Sequence, residues 1–331
     1  MDKTPLVSII LPTYNVKPYL EQCLRSVAEQ TYKNIEVIVV IDGATDGSYE
    51  IAKAFEEKNQ KVKVIWQENA GSGPARNNGI VHANGEYIVF VDPDDYVDSN
   101  MVQLLMEVQN REQVDFVLSG YKTFYENNSK NSTCTDFQYE VCRDQVSTRK
   151  MYLKFLSKGL LGAPTRKLYK TSIIRENSVY FPDLRRSQDI VFNYRYYNFI
   201  QSVCVSNEVF YHYRVDEQQY TYKLKKNYYQ TLSLIYNEIM ALCEDWGVGY
   251  SAVDYSDLCN FFIPTIISNI EANKHRKEDI RPLICDESIQ EIVRKSNPLR
   301  ADQKLFRIAI INKNYVMLDL LTYIKRKIKR R

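Results

Sequence analysis

Nothing in the 331-residue sequence is apolar for long enough to cross a bilayer. One of its longest apolar runs, Ile35 to Ile41, already contains Glu36, and a span needs roughly 20 residues. The first residues, MDKTPLVSIILPTYN, lack the basic start, extended apolar middle and small-residue cleavage site of a secretory leader. A cytoplasmic protein is therefore expected. Cysteine pairs are missing too. Cys23, Cys134, Cys142, Cys204, Cys243, Cys259 and Cys285 are odd in number and form no CxxC, and the three histidines stand apart from them. Neither a disulfide framework nor a zinc cluster is indicated, and reduced, mostly buried thiols are expected. A basic body is absent as well. The net charge is +3, but six of the seven residues 325–331, KRKIKRR, are basic, which leaves about −3 on the rest and speaks against a nucleic-acid-binding surface. There is no internal repeat and no low-complexity tract.

What the sequence does have is alternation. Leu6 to Leu11, Ile35 to Ile41, Val62 to Trp66, Tyr87 to Val91 and Val114 to Leu118 are short and rich in β-branched residues, as strands covered on both faces are. Between them lie helical patterns. Leu20, Cys23, Leu24 and Val27 recur at helical spacing behind Pro18, Ser48 precedes a second helix, and Ser72 with Pro74 opens a third. This order predicts an α/β fold with a doubly wound, mostly parallel sheet. The polar stretch from about 120 to 150 reads as a loop or excursion, residues 151–215 as mixed helix and strand, and the remainder as helical, with a bend at Pro264. The expected division is a domain over 1–220 and a helical C-terminal appendage over 221–331.

Ligands of parallel sheets bind at the carboxyl ends of the strands. Pro12-Thr13-Tyr14-Asn15, Asp42-Gly43, Glu68-Asn69-Ala70-Gly71 and the cluster Asp92-Pro93-Asp94-Asp95 all fall there. Three carboxylates so close raise one another's pKa unless a cation offsets the repulsion. A hard divalent ion such as Mg²⁺ or Mn²⁺, bridging a carboxylate to phosphate oxygens, is the economical reading. An ordinary turn built from Asp and Pro is the alternative.

The segments VSIILPTYNVKPYLEQCLRSVAEQTYKNIEVIVVIDGATDGS and NAGSGPARNNGIVHANGEYIVFVDPDDYV resemble the family 2 glycosyltransferases, inverting enzymes of the GT-A fold that use nucleotide-diphosphate sugars. The resemblance runs unbroken from about Val7 to Tyr96. It returns at APTRKLYKTSII, FPDLRRSQDIVFNYRYY and FYHYR, which look like acceptor-side segments of bacterial polysaccharide enzymes. It implies a Rossmann-like GT-A domain, a UDP-sugar donor, an Mn²⁺ or Mg²⁺ cofactor, and a saccharide acceptor, lipid-linked, in capsule, exopolysaccharide or wall synthesis.

Site residues carry over one at a time. Pro12 and Tyr14 match the nucleotide-binding strand end, with Tyr14 stacking on the base; Asp42 matches the aspartate that meets uracil; Arg76 matches a residue near the base edge. Asp92 and Asp94 match the D-x-D pair, the first toward the ribose and the second toward the metal, with Asp95 in support. Asp189 in SQDIVFNY matches the catalytic base, with Gln188 where glutamate is usual, and Ser187 is positioned to cap the helix behind it. His212 and Arg214 match residues near the diphosphate, and Lys167 a lysine on the acceptor side.

Each position has a structural alternative: a turn for Asp42, a core-edge ring for Tyr14, an ion pair for Arg76 or Arg214, and a helix-dipole contact for Asp189, which would also lower its pKa. Two rival functions stay open. GSGPAR half-imitates the GxGxxG of dinucleotide-dependent oxidoreductases, but has Arg76 at the third glycine and follows the third strand instead of the first. A catalytically inactive nucleotide-sugar-binding protein is the other. At the C-terminal end, Met317, Leu320, Leu321, Ile324 and Ile328 form one helical face beside the basic run Lys325 to Arg331. Contact with an anionic membrane at the inner face of the cell membrane, or packing on the domain or another subunit, fits that pattern equally.

Overall fold

The computed structural model describes residues 4–125, 128–133, 137–184, 186–215, 227–273 and 277–329. The first strand-helix pairs are β1 (Val7–Thr13), α1 (Lys17–Ala28), β2 (Ile35–Asp42), α2 (Ser48–Lys58), β3 (Val62–Gln67) and α3 (Ser72–His82). They lead into β4 (Tyr87–Phe90), β5 (Tyr96–Val97) and α4 (Met101–Glu112). There follow β6 (Phe116–Tyr125), β7 (Asn128–Thr133), β8 (Glu140–Cys142), α5 (Gln145–Ser157), β9 (Lys167–Lys170), α6 (Thr171–Glu176), α7 (Gln188–Phe199) and β10 (Val203–Arg214). The rest is helical: α8 (Tyr228–Trp246), α9 (Ala252–Ala272), α10 (Lys277–Cys285), α11 (Glu287–Lys295), α12 (Ala301–Ile311) and α13 (Tyr315–Lys329).

One ten-stranded sheet runs in the order β3-β2-β1-β4-β9-β6-β10-β5, with β7 on β6 and β8 on β10. The first four strands pair parallel, as the alternation of strand and helix requires. β1 is buried along its whole length and mostly apolar, its buried Ser8 and Thr13 hydroxyls donating to Glu36 and the Leu11 carbonyl, and Leu20, Cys23, Leu24 and Val27 of α1 join its core. β2 and β4 flank β1 on opposite sides, so the chain switches direction across the sheet at this point, where an open α/β sheet leaves a crevice.

The far half of the sheet is mixed. The four-residue β9 runs antiparallel between β4 and β6, while β6 and β10 pair parallel. Part of the polar stretch expected as a loop is instead sheet: β6 continues to Tyr125, β7 folds back on it, and β8 borders β10. Pro264 lies inside α9, which continues past it to Ala272.

The chain divides into two compact units, 1–148 with 160–218, and 149–159 with 219–331. The later turns of α5 thus group with the helical unit, a connection that a division of the sequence at 220 does not contain. In the helical unit, Leu258, Cys259, Phe262, Ile263, Ile266 and Ile267 of α9 form a buried stripe, and Ile289, Ile292 and Val293 of α11 are buried as well. Among the described residues no helix is long and apolar enough to cross a membrane.

Candidate active site

The three aspartates after β4 occupy three different environments. Asp95 is buried; its Oδ2 accepts a hydrogen bond from the Tyr211 hydroxyl (2.6 Å) and its Oδ1 one from the Arg214 amide (2.7 Å). Burial, then the charges of Asp94 and Asp92, push its pKa well up. It anchors the turn to β10. Tyr211 completes the tie by accepting from the Asp92 amide at 3.1 Å. Asp92 receives the Arg76 guanidinium at 2.8 Å. Among the described residues, the Asp94 carboxylate alone of the three accepts no hydrogen bond from another side chain. Burial and the adjacent Asp92 charge raise its pKa to about 6.

Arg76 is the hub. It sits on α3, buried, with Nη2 on Asp92 Oδ1 (2.8 Å), Nη1 on Asp189 Oδ1 (2.9 Å) and its guanidinium 5.3 Å from the Phe181 ring centre. Burial alone would lower its pKa, but the Asp189 and Asp92 charges outweigh that and raise it. Its Nε is buried without a partner, which is costly for a donor and marks a side chain held in place by its other contacts. Two carboxylates hold Arg76, expected from sequence near the base edge, between the β4 turn and α7.

Asp189 stands in the first turn of α7, with about a third of its side chain (32%) open to solvent. Burial raises its pKa, the Arg76 charge opposes that rise, and Asp92 adds to it. The helix-dipole lowering expected from sequence is overridden. Ser187 takes the N-cap position at φ 58° but makes no side-chain capping bond. Other contacts fix this helix start. Gln188 Nε2 donates to Ser72 Oγ, and Asn77 exchanges two 2.9 Å bonds with the backbone of Phe181. Phe181 stacks on Phe192 at 4.0 Å between ring centres, and Phe90 meets both edge-on. Sequence reading missed Asn77, Gln188 and Tyr211 as the groups that assemble the site. Only the unusual glutamine at 188 carried a signal, since its side chain lies directly over Gly73, where an added Cβ would sit 2.1 Å from Gln188 Oε1.

On the other wall, Asp42 is buried at the end of β2. Its Oδ1 accepts from the Ala70 amide and Gln67 Nε2, and its Oδ2 from the Gly71 amide, all at 2.8 Å. Three of a carboxylate's roughly four acceptor positions are thus filled. The same loop presses on Gly43, at φ +67°, where a Cβ would meet the Asn69 amide nitrogen at 2.7 Å. Pro12 lies buried within β1, and Tyr14 stands exposed just beyond it.

The three supporting residues each have partners within the fold. Arg214 is buried between the Tyr19 and Phe124 rings (4.4 and 4.6 Å); its Nε donates to the Asp94 carbonyl and its Nη2 to Gln22 Oε1, both at 2.6 Å. It braces the turn from behind. His212 pairs with Asp98 at 2.7 Å and stacks on Tyr96 of β5. Lys167 is fully buried with Nζ donating to the Ala163 and Thr165 carbonyls, and burial holds its pKa well below the usual lysine range.

No three His, Cys, Asp or Glu side chains among the described residues are grouped to hold a metal. The chemistry of Asp94 nevertheless fits a hard divalent ion that takes one carboxylate and draws its other oxygens from phosphate and water. Asp95 is committed to Tyr211 and Arg214, and Asp92 to Arg76.

Comparison with known proteins adds the following. Residues 8–177 match the family model Glycosyl transferase family 2. Glycosyltransferase EpsJ of Bacillus subtilis (strain 168) is 32% identical over 302 residues, covering 88% of this chain and 86% of that protein. Poly(ribitol-phosphate) beta-N-acetylglucosaminyltransferase TarS of Staphylococcus aureus (strain Mu50 / ATCC 700699) is 27% identical over 241 residues, 70% of this chain and 40% of that protein. The crystal structure of S. aureus TarS 1-349 in complex with UDP-GlcNAc superimposes with a TM-score of 0.68 at 20% identity, covering 97% of this chain and 92% of that one.

Proposed function

The chain belongs to glycosyl transferase family 2 and is a glycosyltransferase of the GT-A fold, and from that premise we propose that it moves a sugar, with inversion, from a UDP-sugar to a hydroxyl of a saccharide acceptor in cell-wall or exopolysaccharide synthesis. The observation that carries this reading is the Arg76 bridge, which joins the D-x-D turn and the Asp189 carboxylate in one crevice at the carboxyl ends of the parallel strands. The UDP-GlcNAc in the TarS complex supports the donor class, and the polymer in the TarS name supports the acceptor class.

In this reading Tyr14 stacks on the uracil, and Asp42 offers its one remaining acceptor position to the base while its other bonds shape the loop. Asp92 faces the ribose. Asp94 would hold Mn²⁺ or Mg²⁺, which when bound would supply positive charge to the departing diphosphate. Asp189, its anion moderated by Arg76, takes the proton of the attacking hydroxyl, a contribution of roughly 10²–10⁴ in rate for a positioned base. Arg214 acts indirectly by fixing the backbone of Asp94.

Screening nucleotide sugars for transfer and for donor hydrolysis, with and without Mn²⁺, tests the proposal. Turnover of a UDP-sugar that stops on chelation and returns with metal is expected. A chain that binds UDP but turns over no donor under any metal condition is instead a binding protein.

A further inference from the structure

The helical unit carries an exposed apolar stripe that the proposed reaction does not use. Along α13, Leu318 and Thr322 are buried, and they fix which face of the helix packs inward. The opposite face presents Val316, Leu320, Ile324 and Ile328 at strict i, i+4 spacing, with Tyr323 beside them. Val316 is 80% exposed and Ile328 68%. At 1.5 Å per residue this stripe is about 18 Å long. The neighbouring α12 adds exposed Leu305 and Ile308. Soluble surfaces carry single exposed apolar residues without consequence, but a continuous stripe marks a contact site.

Charge identifies the occupant. Lys327 lies within the stripe, its Nζ 5.1 Å from the centre of the Tyr323 ring, and Asp319 is the only acid in the helix. Lys325 and Arg326 are turned back to Glu271, bonding its carboxylate at 2.7 Å and its carbonyl at 2.8 Å. The sequence continues the cationic run with Lys329, Arg330 and Arg331. An apolar helix face with cations gathered at one end matches a bilayer surface, where the acyl boundary takes the stripe and anionic headgroups take the lysines and arginines. A second copy is a poorer match, because this helix carries a single acid, Asp319, to answer the cations of a partner helix.

We propose that the outer face of α13 is a docking surface for an anionic lipid bilayer. The inference is independent of the glycosyl-transfer reading, since it rests on a different unit and a different observable.

Co-sedimentation of the full chain with vesicles tests it. Binding is expected to phosphatidylglycerol–phosphatidylcholine vesicles and not to phosphatidylcholine alone. It falls several-fold between about 0.1 M and about 1 M salt, as the Debye length shrinks from ~10 Å to ~3 Å. Leu320→Glu with Ile324→Glu, both exposed and outside the core, abolishes binding and leaves the thermal melt unchanged. Lys327→Gln with Lys329→Gln, Arg330→Gln and Arg331→Gln, which spares the two Glu271 contacts, removes the preference for anionic lipid. Equal binding to neutral vesicles, or no binding to either kind, overturns the proposal. So does a concentration-dependent dimer that the Leu320→Glu, Ile324→Glu pair dissolves without any vesicle binding, since the stripe then belongs to a second copy.

Discussion

The two walls of the crevice hold their carboxylates in opposite ways. Asp42, on the β2 wall, is locked by two backbone amides and a glutamine amide, all neutral donors in fixed positions. Asp189, on the α7 wall, is held by one arm of a guanidinium shared with Asp92 and keeps an open side toward solvent. A carboxylate saturated by neutral donors defines shape. One balanced between burial and a single cation can change its protonation, which is what proton transfer requires. The comparison assigns rigidity to the β2 wall and, under the proposed reaction, reactivity to the α7 wall, and substitutions on either side can break it.

The largest effect is expected at Asp189. Asp189→Asn keeps the shape and an acceptor oxygen for Arg76, but removes the base. Turnover should fall by about 10²–10⁴ with donor KM within about twofold, read by steady-state transfer assays. Turnover near that of the parent protein, in a folded variant, moves the base elsewhere and ends the contrast between the walls.

Next comes Asp94, the proposed metal ligand, whose burial beside Asp92 raises its pKa. Its folded pKa of about 6 lies above the ordinary carboxylate value, so the folded chain binds a proton between about pH 4 and 6 that the unfolded chain lacks. Stability therefore falls as pH rises through that window. Asp94→Asn should cut metal-dependent turnover by on the order of 10²-fold. It should also raise stability at pH 7 by on the order of 1 kcal/mol, seen as a melting point a few degrees higher. In the parent protein, Mn²⁺ affinity measured by calorimetry should weaken as pH drops through about 6, where the proton competes for Asp94.

Much of this was legible in the sequence because a parallel sheet delivers every strand end to one edge. Knowing where β1, β2 and β4 stop places Tyr14, Asp42 and the aspartate turn together without further information. What was not legible is who pairs with whom. Arg76 meets a carboxylate 113 residues away, Asp95 meets a tyrosine 116 away, and Arg214 reaches back 192 residues to Gln22. No local period encodes such pairings, which is why the partners of Arg76, His212, Arg214 and Lys167 within the fold were not legible. The polar stretch after 120 misled for a related reason. β6 gains its last residues from pairing with distant β10, and hydrophobic alternation alone does not record a partner.

Arg76→Lys sharpens the comparison from the middle. Lysine keeps the charge but has one ammonium in place of the fork that reaches both aspartates. Loss of one arm should cost about 1–3 kcal/mol in stability. Arg76 opposes the rise in the Asp189 pKa, so weakening it should move the acid limb of the activity profile to higher pH. A profile that does not move would reduce Arg76 to a packing group.

The smallest effect on turnover is expected at Asp42, and its pattern distinguishes the walls better than its size. Asp42→Asn leaves one acceptor oxygen where two now serve three donors, and it turns an NH₂ toward the Ala70 or Gly71 amide. Two donors then face each other in a buried place, and the unsatisfied amide should cost about 1–3 kcal/mol of stability. The loop from Gln67 to Gly71 loosens, and donor KM rises while kcat at saturating donor stays within about threefold, because the groups at the reacting bond are untouched. The Asp189 variant should show the reverse: kcat lost, KM and stability kept. If Asp42→Asn instead lowers kcat as deeply as KM rises, the β2 wall takes part in the transition state, and rigidity on one side with reactivity on the other no longer describes this crevice.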